Sequence, residues 1–267
     1  MSAFQNKSTP WNIAAPSFVW PARVGDNCYY LQNRVDEIEI IFFETQGSLN
    51  YTQLDLPEDL KNLDLDYHLH LPMDLPWEKG ALEVVQNIEE LAGKVAYLSP
   101  HCFVLHPPAD PDLFSDFHQA WEAHPELKQK KLLLENVREK APRPLADLLG
   151  ELRSHHVKFC LDIGHWSSYG SGSQYQNLPQ WIQTLGPYLS HLHLHDNDGI
   201  ADLHLGLGQG CIPWVELFGG LEFMELSPSF ALEPHCQEDL EQSLSFMKKH
   251  MNWFSRLGVR RRDLPEL

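Results

Sequence analysis

The chain has 267 residues, 43% of them hydrophobic and 21% charged, a balance that excludes a disordered chain and supports one sizeable core. Its formal charge of −17, from 37 acidic against 20 basic residues, repels polyanions and excludes nucleic acid as the expected partner. No apolar stretch reaches the ~18 residues of a membrane span, and Met1–Trp11 is polar with no signal-peptide core, so no membrane partner and a cytoplasmic location are expected.

Short β-rich apolar runs alternate with amphipathic segments along the chain, the pattern of parallel strands joined by helical crossovers. A strand at Asn12–Val19 leads to a helix at Asp26–Asn33, and one at Val35–Phe43 to a short turn around Glu58–Asn62. The intervening segment Glu44–Asp64, with only that turn, reads as a lid or substrate loop. Strands at Leu65–Leu71, Cys102–Leu105 and Lys131–Glu135 precede helices at Trp77–Tyr97, Asp112–Ala123 and Arg143–His155. Strands at Val157–Asp162, Leu189–His195 and Ser229–Glu233 precede helices at Leu178–Leu185, Pro213–Gly219 and Gln237–Phe254. Pro142, Pro179 and Pro213 stand at helix starts, where a missing N–H costs nothing. Eight strand–helix pairs predict a single (β/α)8 TIM barrel domain over residues 1–267.

The glycine- and serine-containing stretch Ser167–Ser173 reads as an active-site loop. Cys28, Cys102, Cys160, Cys211 and Cys236 are odd in number and lack C-x-x-C spacing, so they read as buried thiols of a reducing compartment. Arg256 and Arg260-Arg261-Arg262 read as a solvated helix end.

Metal-capable side chains fall at the ends of six predicted strands: His70, His106, Glu135, Asp162 with His165, His193, and Glu233. Asp202 and His204 follow in a glycine-rich loop after the seventh strand. In a barrel such positions converge over the C-terminal mouth, and nine donors can hold two or three divalent ions. Imidazole with carboxylate suits Zn, Mn or Fe and leaves the choice among them open. An unpaired carboxylate after three leucines, as in Leu132-Leu133-Leu134-Glu135, is costly unless a cation or donor meets it. His191, His193 and His195 share one strand face by the period of two. His193 is read as the ligand, His191 as structural, and His195 as a contact behind the ligands or to substrate. His68 is read as structural beside His70. Among Trp20, Trp77, Trp166, Tyr169 and Trp214, which could wall a planar ligand, Trp77 and Trp166 are taken as substrate contacts.

His193-Leu194-His195-Asp196, followed by Asp202-Leu203-His204-Leu205-Gly206-Leu207-Gly208-Gln209-Gly210-Cys211-Ile212, resembles the motif of the endonuclease IV-type apurinic/apyrimidinic endonucleases. Across the whole barrel the chain is similar to that superfamily and to xylose isomerase-like sugar isomerases and epimerases. The resemblance implies that all nine residues above are metal ligands, where the isomerase branch uses only Glu135, Asp162, His193 and Glu233 for one ion. Ala15-Pro16-Ser17-Phe18-Val19, His68-Leu69-His70-Leu71-Pro72-Met73-Asp74-Leu75-Pro76-Trp77 and Leu105-His106-Pro107-Pro108 resemble the cobamide-remodelling phosphodiesterases.

The expectation is metal-assisted phosphodiester hydrolysis in a small-molecule substrate, a cobamide (vitamin B12-type cofactor), with Glu135 and Glu233 positioning the attacking water. A one-metal sugar isomerase or epimerase, and a non-catalytic barrel binding a cobamide or sugar, are the alternatives. The oligomeric state is left open.

Overall fold

A computed structural model describes residues 13–139, 141–168 and 177–257. Eight parallel strands close into one barrel in sequence order. They are β1 (Ile13–Pro16), β2 (Glu37–Ile41), β3 (Asp66–His70), β4 (Cys102–Leu105), β5 (Lys131–Glu135), β6 (Val157–Asp162), β7 (Leu189–Leu194) and β8 (Ser229–Leu232). Closure comes from β1 against β8, with Ile13 opposite Phe230 and Ala14 opposite Ala231.

Alternation along each strand separates two interiors. Outward residues such as Ile38, Ile40, Phe103, Leu105, Leu132 and Leu134 join the large apolar cluster shared with the surrounding helices. Inward residues divide by strand. Cys102, Val104, Leu133 and Cys160 make a small apolar cluster on the β4–β6 side of the lumen. Glu37, Glu39, His68, His191 and His193 fill the β2–β3 and β7 side and are all buried. Most barrels of this type pack the lumen with branched aliphatics; here much of it is ionisable.

Eight strands and most helices fall where the residue pattern puts them, with local differences that have visible causes. The helix expected over 77–97 is broken twice, at Gly80 with φ +93° between a turn at Trp77–Lys79 and the helix Ala81–Lys94, and at Val95 with φ −115° before a turn at Ala96–Leu98. The helix expected over 143–155 stops at Leu152, where Arg153 turns to φ +48°. The last expected helix divides at His250 into Gln237–Lys249 and Met251–Arg256.

The Glu44–Asp64 segment is less irregular than expected. Thr45–Leu49 is helical, held because the Thr45 N–H and Oγ1 donate to Asp74 Oδ1 at 2.6 and 2.9 Å. In the expected Ser167–Ser173 loop, Ser167 and Ser168 instead end a helix at Ile163–Ser168. Its remaining residues, with Tyr169, and Arg260–Arg262 lie outside the described residues.

Candidate metal centre

Glu135 ends β5 pointing into the lumen at 1% exposure, and four imidazoles surround it. His70 Nε2 and His106 Nε2 lie 3.0 and 2.9 Å from its Oε2, while His165 Nδ1 and His193 Nδ1 each lie 3.2 Å from Oε1. Register explains the convergence. Ile41 of β2 pairs with His70 on β3, and Asp162 of β6 pairs with His193 on β7, so the strand ends bring these side chains to one level.

The remaining ligand candidates extend the cluster in two directions. His193 Nδ1 is 3.3 Å from Glu233 Oε2 and 3.8 Å from Asp162 Oδ2. His165 Nε2 and His204 Nε2 close on Asp202 Oδ2 at 3.2 and 3.3 Å. All nine predicted residues thus form one connected set, in which His70–His106–Glu135 and His165–Asp202–His204 are each compact enough to share an ion.

The electrostatics fit cations. Burial pushes Glu135 toward its neutral form, yet His106 and His193 hold its carboxyl well below the usual carboxylate range. Asp202 is likewise opposed by burial but held down by hydrogen bonds from His165 and His204. Burial pushes Glu233 well above its ordinary value despite His193 beside it. Four imidazoles around one buried carboxylate suit a divalent ion, which both donor types can bind at once. Asp202 Oδ1 is buried without a hydrogen-bond partner among the described residues. Such groups are costly unless an ion or water meets them.

The glycine-rich loop is strapped to the barrel by Asp196. Its carboxylate accepts from the backbone N–H groups of Gly208 (2.9 Å) and Ile212 (3.0 Å) and from Trp214 Nε1 (3.1 Å). Gly210 is required by proximity, since a Cβ there would come within 2.1 Å of the Asn197 carbonyl oxygen. The strap delivers His204, at φ +49°, where its Nδ1 lies 2.7 Å from the Glu233 carbonyl oxygen.

His195, expected behind the ligands or against substrate, is fully buried, with Nε2 3.2 Å from Asp162 Oδ1. It braces Asp162 from behind, over Gly164, where a Cβ would clash at 1.9 Å. Trp77 is also placed away from the cluster: its ring meets Phe117 at 5.3 Å in the helical layer. Trp166 is 8% exposed and packed in the main core. Trp214 serves the Asp196 strap, and Trp20 is exposed.

Three residues went unread in the sequence. His235, past β8, stacks on His204 at 3.7 Å, and His204 on His195 at 3.8 Å. Glu39 is fully buried, with Oε1 3.3 Å from His193 Nε2 and 3.4 Å from His68 Nε2. Glu37 meets the other side of His68. The two glutamates had a visible signal, since Glu37-Ile38-Glu39-Ile40 puts both on one strand face.

The family described as xylose isomerase-like TIM barrel matches residues 104–250. An uncharacterized protein of Methanocaldococcus jannaschii is 26% identical over 110 residues, 41% of this chain and 36% of that protein. The match thus spans little more than a third of that relative's length. Among solved structures, a D-tagatose 3-epimerase-like protein superposes with TM-score 0.73 at 21% identity, covering 90% of this chain and 97% of that one. An AP endonuclease, family 2, from Brucella melitensis gives TM-score 0.66 at 13% identity, covering 90% and 99%. At these identities the structural likenesses establish the fold.

Proposed function

Because the chain belongs to the xylose isomerase-like TIM barrel family, we propose that it is a metal-dependent hydrolase. Its substrate on this reading is a phosphodiester in a small or medium-sized molecule, the nucleotide loop of a cobamide. The observation that carries this reading is the pair of compact ligand groups flanking the Glu135–Asp162–His193–Glu233 set, His70–His106 on one side and His165–Asp202–His204 on the other. One ion uses only the central four. Two or three ions of Zn, Mn or Fe would use all nine.

When bound, such ions supply activation of water and neutralisation of phosphate oxygens. The protein's part is placement. Glu135, between four imidazoles, would be among the residues that hold such ions. Glu233, 3.3 Å from His193 at the end of the last strand, is suited to orient the attacking water. Beside the centre, the ring series His204, His235, Phe18 and Phe43 leads to a cavity of about 430 Å³ that Phe18, Phe43 and Tyr51 help to line. That volume takes a group of nucleoside or sugar size.

A second reading, a sugar epimerase with one ion and a glutamate pair moving a proton, is favoured by the sugar epimerases and epimerase-like protein among solved structures of the same fold. Incubating metal-loaded protein with cobalamin, abasic-site DNA and a ketose panel separates the readings. Release of a corrinoid lacking its lower-ligand nucleoside is expected. Turnover confined to ketoses would replace the hydrolase with the epimerase, and cleavage confined to abasic DNA would make it a nucleic-acid enzyme.

A further inference from the structure

We propose that the opposite, N-terminal opening of the barrel carries a separate divalent-cation site, of Zn2+ type by its donors, formed by Glu37, His68 and His101. Glu37 opens β2, and His101 lies in the turn just before β4, whose backbone N–H donates to the Tyr67 carbonyl at 3.1 Å. Glu37 and His101 thus stand at strand starts and His68 at the middle of β3, below the nine-residue centre that gathers at the strand ends.

His68 Nδ1 and His101 Nε2 both lie 2.6 Å from the same oxygen, Glu37 Oε1. Ligand atoms around a tetrahedral Zn2+ with bonds of about 2.0–2.1 Å sit roughly 3.3 Å apart, so each imidazole nitrogen has to draw back from Glu37 Oε1 by about 0.7 Å to admit the ion. His101 can retreat that far, because its side chain is 54% exposed while those of Glu37 and His68 are 9% and 0% exposed. The same asymmetry provides a way in from solvent, with two buried ligands behind it. The Cys102 thiol lies against His101, adding a soft donor to the neighbourhood. Two imidazoles, one carboxylate and a nearby thiol suit Zn2+ and disfavour Mg2+ or Ca2+, which take oxygen ligands.

A ligating histidine is normally held by a carboxylate on its other ring nitrogen. His68 has that partner. Its Nε2 faces Glu39 Oε1 at 3.4 Å, and both Glu39 oxygens and His68 Nε2 are buried without a hydrogen bond of good geometry among the described residues. Glu39 also faces His193 Nε2, so one buried carboxylate backs a ligand of each site. The cation would pin β2, β3 and the turn into β4 together at the end of the barrel remote from chemistry.

The test is metal per chain, by mass spectrometry of the elements, on full-length protein loaded with Zn2+ and freed of excess. Wild type, His101→Ala, His101→Asn and Glu37→Gln are compared, each also in a His204→Ala background. Loss of one equivalent is expected in all three variants and in both backgrounds, with turnover of any substrate found within about twofold of wild type for the His101 variants. The double background separates this site from the strand-end centre, so failure of either assignment is read independently. Co2+-loaded wild type should also show tetrahedral visible absorption that His101→Asn diminishes. Equal metal content in wild type and folded His101→Asn would reduce the trio to a hydrogen-bonded charge network.

Discussion

His204 holds a backbone conformation that costs a residue with a Cβ on the order of 1–3 kcal/mol, and the surroundings fix it there through Nδ1 on the Glu233 carbonyl and stacking between His195 and His235. On the multinuclear reading, His204→Ala lowers hydrolysis by about 10²-fold or more, the scale of losing one major transition-state stabiliser. The folded variant also loses metal. Full activity with full metal content would remove His204 from the ligand set. Glu39 acts one layer deeper, through His193. Glu39→Gln keeps the shape but removes the carboxylate that orients the ring, so metal affinity should fall about 10- to 100-fold, measured by competition with a chelating indicator. Unchanged affinity would make Glu39 a lumen filler.

At the scale of elements, the Asp196 strap is the device on which the Asp202–His204 pair depends. Removing its carboxylate by Asp196→Ala leaves three backbone donors, of Asn197, Gly208 and Ile212, and the Trp214 indole without their acceptor, each at about 1–3 kcal/mol if left unsatisfied. The variant should melt lower and bind less metal even though Asp196 itself is not in the nine-residue set. Unaltered metal content would show that the loop holds its course without the strap. The strands, and the polar residues that end them, were legible because a parallel barrel needs nearly continuous apolar runs, against which His70, Glu135 or Asp162 stands out. What escaped reading depends on contacts between distant segments. Helicity at Thr45–Leu49 comes from Asp74, the burial of His195 from its packing over Gly164, and the placement of Trp77 from Phe117. No local pattern carries these. Glu37 and Glu39 were different, being visible by alternation on a strand otherwise read only for its isoleucines.

For the whole molecule, ionisable side chains run through the lumen from Glu37 and His68 at one end, by Glu39, to His193 and Glu135 at the other. A fold that buries so many charged groups gains from any cation that binds only the native state, because the unfolded chain scatters the ligands. One ion at about 100 times its dissociation constant adds about 2.7 kcal/mol, and each kcal/mol moves the melting temperature of a chain somewhat smaller than this one by about 2–4 °C. Dialysis against a chelator should therefore lower the melting temperature by about 5–10 °C for each ion lost, and Zn2+ or Mn2+ should restore it in a concentration-dependent way. The sign is fixed, since ligand binding confined to the native state can only raise stability. Scanning calorimetry of stripped and reloaded protein reads the effect without knowledge of any substrate. Identical melting before and after chelation, with metal removal verified, would mean that the histidines and carboxylates of the lumen satisfy one another unaided and that no tightly held ion belongs to the native barrel.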